Sequence, residues 1–116
     1  MKHTLSIILV GVISLLSIAA TEVDLKPLKR VAAHGQNTAT AGTEEIIGAS
    51  TVVSSCCVNA LPTNTGYVYI GDSSTSSSDG YVLAAGDPLC LDVDDPADIY
   101  YDVDTTGEGV SFICVR

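Results

Sequence analysis

From about Glu45 to the carboxyl terminus, short runs of Val, Ile, Leu and Tyr alternate with clusters of Gly, Asp, Ser, Thr and Pro. That rhythm predicts short strands joined by tight turns. The run EEIIGASTVVSSCCVNALP predicts one or two strands with a break at Gly48. Within it, Val52, Ser54, Cys56, Val58 and Ala60 share one face, and Val53, Ser55, Cys57 and Asn59 take the other; the first set is the predicted core face. GYVYIG predicts a strand centred on Val68 to Ile70, and YVLAAG another. Leu89, Leu91 and Val93 alternate with Cys90, Asp92 and Asp94, the mark of a half-buried strand. Ile99 to Val103 and Val110 to Val115 complete the set, with Phe112 and Cys114 on one side of the last strand and Ile113 and Val115 on the other. Turns are expected at Asn64-Thr65-Gly66, along DSSTSSSDG, at Gly86-Asp87-Pro88, at Asp94-Asp95-Pro96 and from Thr105 to Gly109. Six to eight strands in about 70 residues predict an all-β domain, a small antiparallel β-sandwich or jelly-roll-like barrel.

Upstream of Glu45 the pattern changes. Leu5 to Ala20 (LSIILVGVISLLSIAA) is a continuous apolar run behind Lys2 and His3. It is shorter than the roughly 20 residues of a spanning helix, and small residues at Ser17 and Ala19 fit a secretory signal peptide. An uncleaved membrane anchor, a buried helix and an extension missing from the working protein stay open as alternatives. Residues 21–44 show no sustained period and are interrupted by Pro27, Gly35 and Gly42, which predicts an extended arm. The expected organisation is thus a leader over 1–20, an arm over 21–44 and a sandwich over 45–116.

Charge sharpens the picture. The net charge is −9, and four of the five basic residues (Lys2, Lys26, Lys29, Arg30) precede residue 31. So acidic a body repels phosphate backbones, which argues against a nucleic-acid partner. The basic cluster Lys26, Lys29 and Arg30 reads as a solvated linker or as an arm that lies on an acidic neighbouring surface.

Candidate chemistry is sparse. Cys56, Cys57, Cys90 and Cys114 form no CxxC pair and have no nearby His, so a zinc site is poorly supported. Adjacent Cys56 and Cys57 point to opposite faces of a strand, and free thiols are expected. If the chain is exported, disulfides would join one of that pair to Cys90 or Cys114. Asp102, Asp104 and Glu108 copy the opening of a calcium loop, but its twelfth position is Ile113 where a bidentate Glu is needed. Asp92, Asp94, Asp95 and Asp98 form a second acidic group, for which backbone bonding in turns is the simpler role. His34 sits in the expected arm, the run Ser73 to Ser78 is too loose to hold a nucleophile, and aromatic residues are too few for a sugar-cleaving cleft. No enzyme activity and no cofactor are expected.

The segments VDLKPLKRVAAHGQNTAT, NALPTNTGYVYIGDSS, GYVLAAGD, LDVDD and IYYDVDTTGEGVSFICVR resemble small virion-associated proteins of tailed bacteriophages. The resemblance covers about four-fifths of the chain and lies in turn-and-strand motifs. It implies a structural role in the virion: a β-sandwich that decorates or cements the capsid, or the neck and tail, by binding the major capsid protein or other virion proteins, as a homo-oligomer, a trimer being the expectation. No catalytic residue is carried over. The leader and the four cysteines depart from that family; they suit a secreted or surface-anchored binding module, for glycans or adhesion, or a membrane setting through residues 5–20. A pilin-like filament subunit is a weaker third reading.

Overall fold

The computed structural model describes residues 29–116. The leader over 1–20, its His3, and Lys26 in the arm lie outside the described residues. The described chain forms eight strands: β1 (Val31–Thr38), β2 (Glu45–Ile46), β3 (Ser55–Ala60), β4 (Val68–Gly71), β5 (Tyr81–Leu83), β6 (Pro88–Leu91), β7 (Tyr100–Val103) and β8 (Gly109–Val115). A single 3-10 turn, Pro96–Asp98, precedes β7.

All pairings are antiparallel and build two four-stranded sheets, ordered β1-β8-β3-β6 and β2-β7-β4-β5. The pairs β1–β8, β2–β7, β3–β6 and β4–β5 are those of one long folded-back hairpin. Rolling that hairpin brings β8 onto β3 and β7 onto β4, which is the jelly-roll arrangement. The expected all-β sandwich is therefore present, with the strand order of a jelly roll.

The core lies between the sheets. Cys56, Val58 and Ala60 of β3 and Val110 and Cys114 of β8 face Val68, Ile70, Leu83, Tyr101 and Val103 of the second sheet, closed by Ile47, Val53 and Ile99 from the connections. Val, Ile and Leu fill most of it, as a chain with one Phe and no Trp requires. That Phe, Phe112, packs where two glycines leave room: a Cβ at Gly35 would lie 3.1 Å from its ring, and one at Gly48 2.6 Å.

Two expectations need correction. The arm predicted over 21–44 is, from Val31 to Thr38, strand β1, paired with β8 from Val31↔Val115 to Thr38↔Gly109 across a bulge at Ala32. Its inward positions are Ala33, Gly35 and Asn37, too small or polar to show alternation, so backbone pairing to β8 holds it. The sandwich thus begins at Val31. The second correction concerns the face of the segment before β3. Val53 is 4% exposed and Val52 69%, the reverse of the predicted core face. In β3 the even residue Ala60 bonds toward β6, through Asp87, and Leu61 bonds toward β8, through Gly109. Val53 bonds toward Asp94 and Ser54 toward Val115. The alternation slips by one residue between Val53 and Ser55, and Val53 turns inward.

Candidate interaction surfaces

The cysteines are the first site the fold assembles. Cys56 is bonded to Cys114 and Cys57 to Cys90, so the expectation of free thiols is corrected. Register explains the choice. Cys56 lies directly opposite Cys114 across β3–β8, and Cys57 directly opposite Cys90 across β3–β6. Backbone hydrogen bonds alternate sides along β3, so Cys56 is in the close, non-hydrogen-bonded pair on its β8 side and Cys57 on its β6 side. Both pairs have Cα atoms 4.0 Å apart. Because neighbouring side chains face opposite ways, one bridge is buried between the sheets and the other lies on the outer face, where Cys90 is exposed. Three of the four strands of the first sheet are thereby covalently joined.

The acidic residues of the calcium-like loop serve a different purpose. They sit at the end of the sandwich where the β1–β2, β3–β4, β5–β6 and β7–β8 loops converge. Glu108 accepts from the Thr65 amide at 2.6 Å, the Thr65 hydroxyl at 3.0 Å and the Gly66 amide at 2.9 Å. Those amides hold its carboxyl below the usual range. Asp104 accepts from the Tyr67 amide at 3.1 Å and the Tyr69 hydroxyl at 2.8 Å, which raises the Tyr69 ionisation. Asp102, 2% exposed, accepts from the amides of Gly42 and Val103 at 2.9 and 2.8 Å. Glu108 and Asp104 both answer the Thr65 to Tyr67 stretch, and Asp102 answers Gly42 and Val103, so the carboxylates that copy a calcium loop in sequence are bound here to N–H and O–H donors of the loops. Among the described residues no three His, Cys, Asp or Glu side chains group as a metal ion would require. Asn64 completes this end: its buried amide group donates to the Gly109 carbonyl at 2.8 Å and accepts from the Gly109 amide at 3.2 Å.

At the opposite end the β2–β3, β4–β5 and β6–β7 connections meet. Asp95 caps the 3-10 turn through the Ala97 amide and also receives the Ser50 hydroxyl and the Thr51 amide. The Ser50 hydroxyl, followed by the Ala97 amide, keeps its carboxyl low. Asp72 is likewise held low by the hydroxyl and amide of Ser74, which sets the Ser73 to Ser78 run as a structured turn. Asp92, Asp94 and Asp98 are exposed. Lys29 and Arg30 enter β1 at this same end. There Arg30 and Arg116 exchange backbone hydrogen bonds in both directions, at 2.9 and 3.0 Å. Arg116, sequence-distant from the basic arm, thus joins Lys29 and Arg30; only the β1–β8 register reveals it.

Shallow depressions mark the surface of the described residues. One, of about 220 Å³, lies on the outer face of the first sheet around Cys57, Asn59, Pro88, Ser111 and Ile113. Another, of about 310 Å³, lies among Thr65, Tyr67, Ala84 and Asp104. His34 stands opposite Ile113 in the first sheet, whereas the serine run belongs to the second. Comparison with protein-family models, with curated proteins and with solved structures finds no match to this chain.

Proposed function

We propose that this protein is a non-catalytic structural component of a virion, a decoration or cement subunit that binds the major capsid protein. The jelly-roll strand order carries the reading, since that architecture recurs in capsid proteins, and the strand-and-turn motifs resemble small virion-associated proteins. The module is suited to contact. Its loops are fastened at both ends by Asp95, Asp102, Asp104 and Glu108, so its surfaces keep a fixed shape. Preordered loops lose little freedom on docking, which favours a binding or clamping role. Quantitative peptide mass spectrometry of purified virions tests the proposal. The expected result is this chain in tens to hundreds of copies per particle; its absence from virions would remove the reading.

The disulfides favour a second reading, an exported or surface-anchored binding module. Two bridges in so small a domain fit an oxidising compartment. This reading expects cleavage near Ala19 or Ala20 and both bridges oxidised in protein recovered from outside the cell. A cytoplasmic protein with four reactive thiols would argue against it.

A further inference from the structure

We propose that the chain pairs with a second copy of itself, about a two-fold axis, through the end of the first sheet where β1 begins and β8 stops. Among the described residues the Lys and Arg side chains are Lys29, Arg30 and Arg116, against twelve carboxylates, and all three gather at this one corner. The opposite edge of the same sheet end carries exposed Asp92 and Asp94. Register fixes their relation. Arg30 pairs with Arg116, β8 runs beside β3, and the Val53 amide bonds the Asp94 carbonyl, continuing the β3–β6 register. Lys29 and Arg30 therefore stand at the start of edge strand β1, three interstrand spacings or about 14 Å from β6, and Arg116 ends the inner strand β8, two spacings or about 10 Å away, at about 4.8 Å each. The two sets are not on neighbouring strands, and among the described residues no ion pair engages the three cations.

A two-fold axis through the middle of this sheet end sets each basic edge over the partner's acidic edge. An isologous contact has that reciprocity by construction. Exposed Val31 (54%) stands on the basic side and Val52 (69%) toward the acidic side, so the same axis would cover apolar surface beside the charges. An anionic polymer would answer the basic corner and leave Asp92 and Asp94 unpaired, whereas a second copy answers both edges. The pairing differs from the three-fold grouping that the resemblance implies. It does not rest on the virion reading, and a dimer in solution and absence from virions would be separate results.

The test is light scattering coupled to size-exclusion chromatography of the full, oxidised chain as recovered from expressing cells. At low salt the mass should approach twice that of the chain and fall to one chain near 1 M NaCl, where the screening length drops to about 3 Å. Arg30→Glu/Arg116→Glu and Asp92→Lys/Asp94→Lys should each weaken self-association by about a hundredfold, since like charges are then opposed. Mixed one to one, the two variants should pair again, because every edge then meets its opposite. A single chain at every salt concentration, association that holds or grows with salt, or variants that dimerise like the parent or stay apart when mixed would overturn the proposal. Circular dichroism checks the fold of the variants, and if one misfolds, the salt dependence of the unaltered chain decides.

Discussion

Removing the two disulfides separately should distinguish the inner bridge from the outer one. Cys56–Cys114 closes a loop with a sequence separation of 58, and Cys57–Cys90 one of 33. In the chain-entropy treatment these loops restrict the unfolded state by about 4.2 and about 3.7 kcal/mol at 25 °C. The loops are nested, so the two figures do not add. Packing separates them further. Cys56 and Cys114 are 1% and 0% exposed, and replacing both sulfurs by hydrogens leaves a void in the core; Cys57–Cys90 lies on the outer face, where solvent fills the gap. A void of this size adds about 1 to 2 kcal/mol. Cys56→Ala/Cys114→Ala should therefore cost about 5 to 6 kcal/mol and Cys57→Ala/Cys90→Ala about 3 to 4. Urea unfolding followed by circular dichroism measures both, with thiol counts confirming the remaining bridge in each variant. An outer-pair variant that costs as much as the inner-pair variant, or costs below about 1 kcal/mol for both, would refute the reasoning.

Other expected outcomes follow from single groups. Tyr101 is fully buried, its hydroxyl has no hydrogen-bond partner among the described residues, and burial, followed by the Glu45 charge, pushes its ionisation up to about 12. Tyr101→Phe removes an unpartnered polar atom and should raise stability by about 1 kcal/mol in urea unfolding; a clear loss would show that the hydroxyl has a partner. Asn64→Ala leaves the Gly109 amide without its acceptor at a buried site and should cost about 1 to 3 kcal/mol by the same assay. Glu108, Asp95 and Asp72 have folded-state ionisations below their ordinary values. Their contribution is complete above the unfolded carboxylate range and is lost as pH falls through the lower folded values, so the melting temperature should drop below about pH 4. Glu108→Gln should flatten that drop, and an unchanged acid profile would show that the Thr65 and Gly66 contacts do not matter.

Strands with large apolar residues on one face were legible from the sequence. GYVYIG, the Leu89–Leu91–Val93 alternation and the closing run around Phe112 all appear where periodicity puts them. Strand β1 was hidden because its inward positions are Ala33, Gly35 and Asn37, and an edge strand can be held by backbone pairing alone. The face of Val53 was misread because a local slip in hydrogen bonding leaves no trace in the composition. The cysteine pairing depended on knowing which positions on β8 and β6 oppose Cys56 and Cys57, which is information about register across 58 and 33 residues. Local pattern carries no such information. For the same reason Arg116 could not be placed beside Arg30, nor Asn64 beside Gly109, from spacing alone. The acidic turn at Asp102 to Glu108 shows the converse: carboxylates spaced like a ligand set in sequence fasten loops in the fold, Asp104 and Glu108 the Thr65 to Tyr67 stretch and Asp102 the amides of Gly42 and Val103.

Everything depends on the rolled double sheet, and a map of nuclear Overhauser contacts between Hα protons in the oxidised, isotope-labelled protein tests it most directly. Close Hα–Hα contacts should join Cys56 to Cys114 and Cys57 to Cys90, as non-hydrogen-bonded pairs require. Among consecutive strands, only β4 and β5 should pair as a hairpin. Cross-strand contacts joining β1 to β2, β5 to β6 or β7 to β8 would describe an up-and-down meander and would contradict the account.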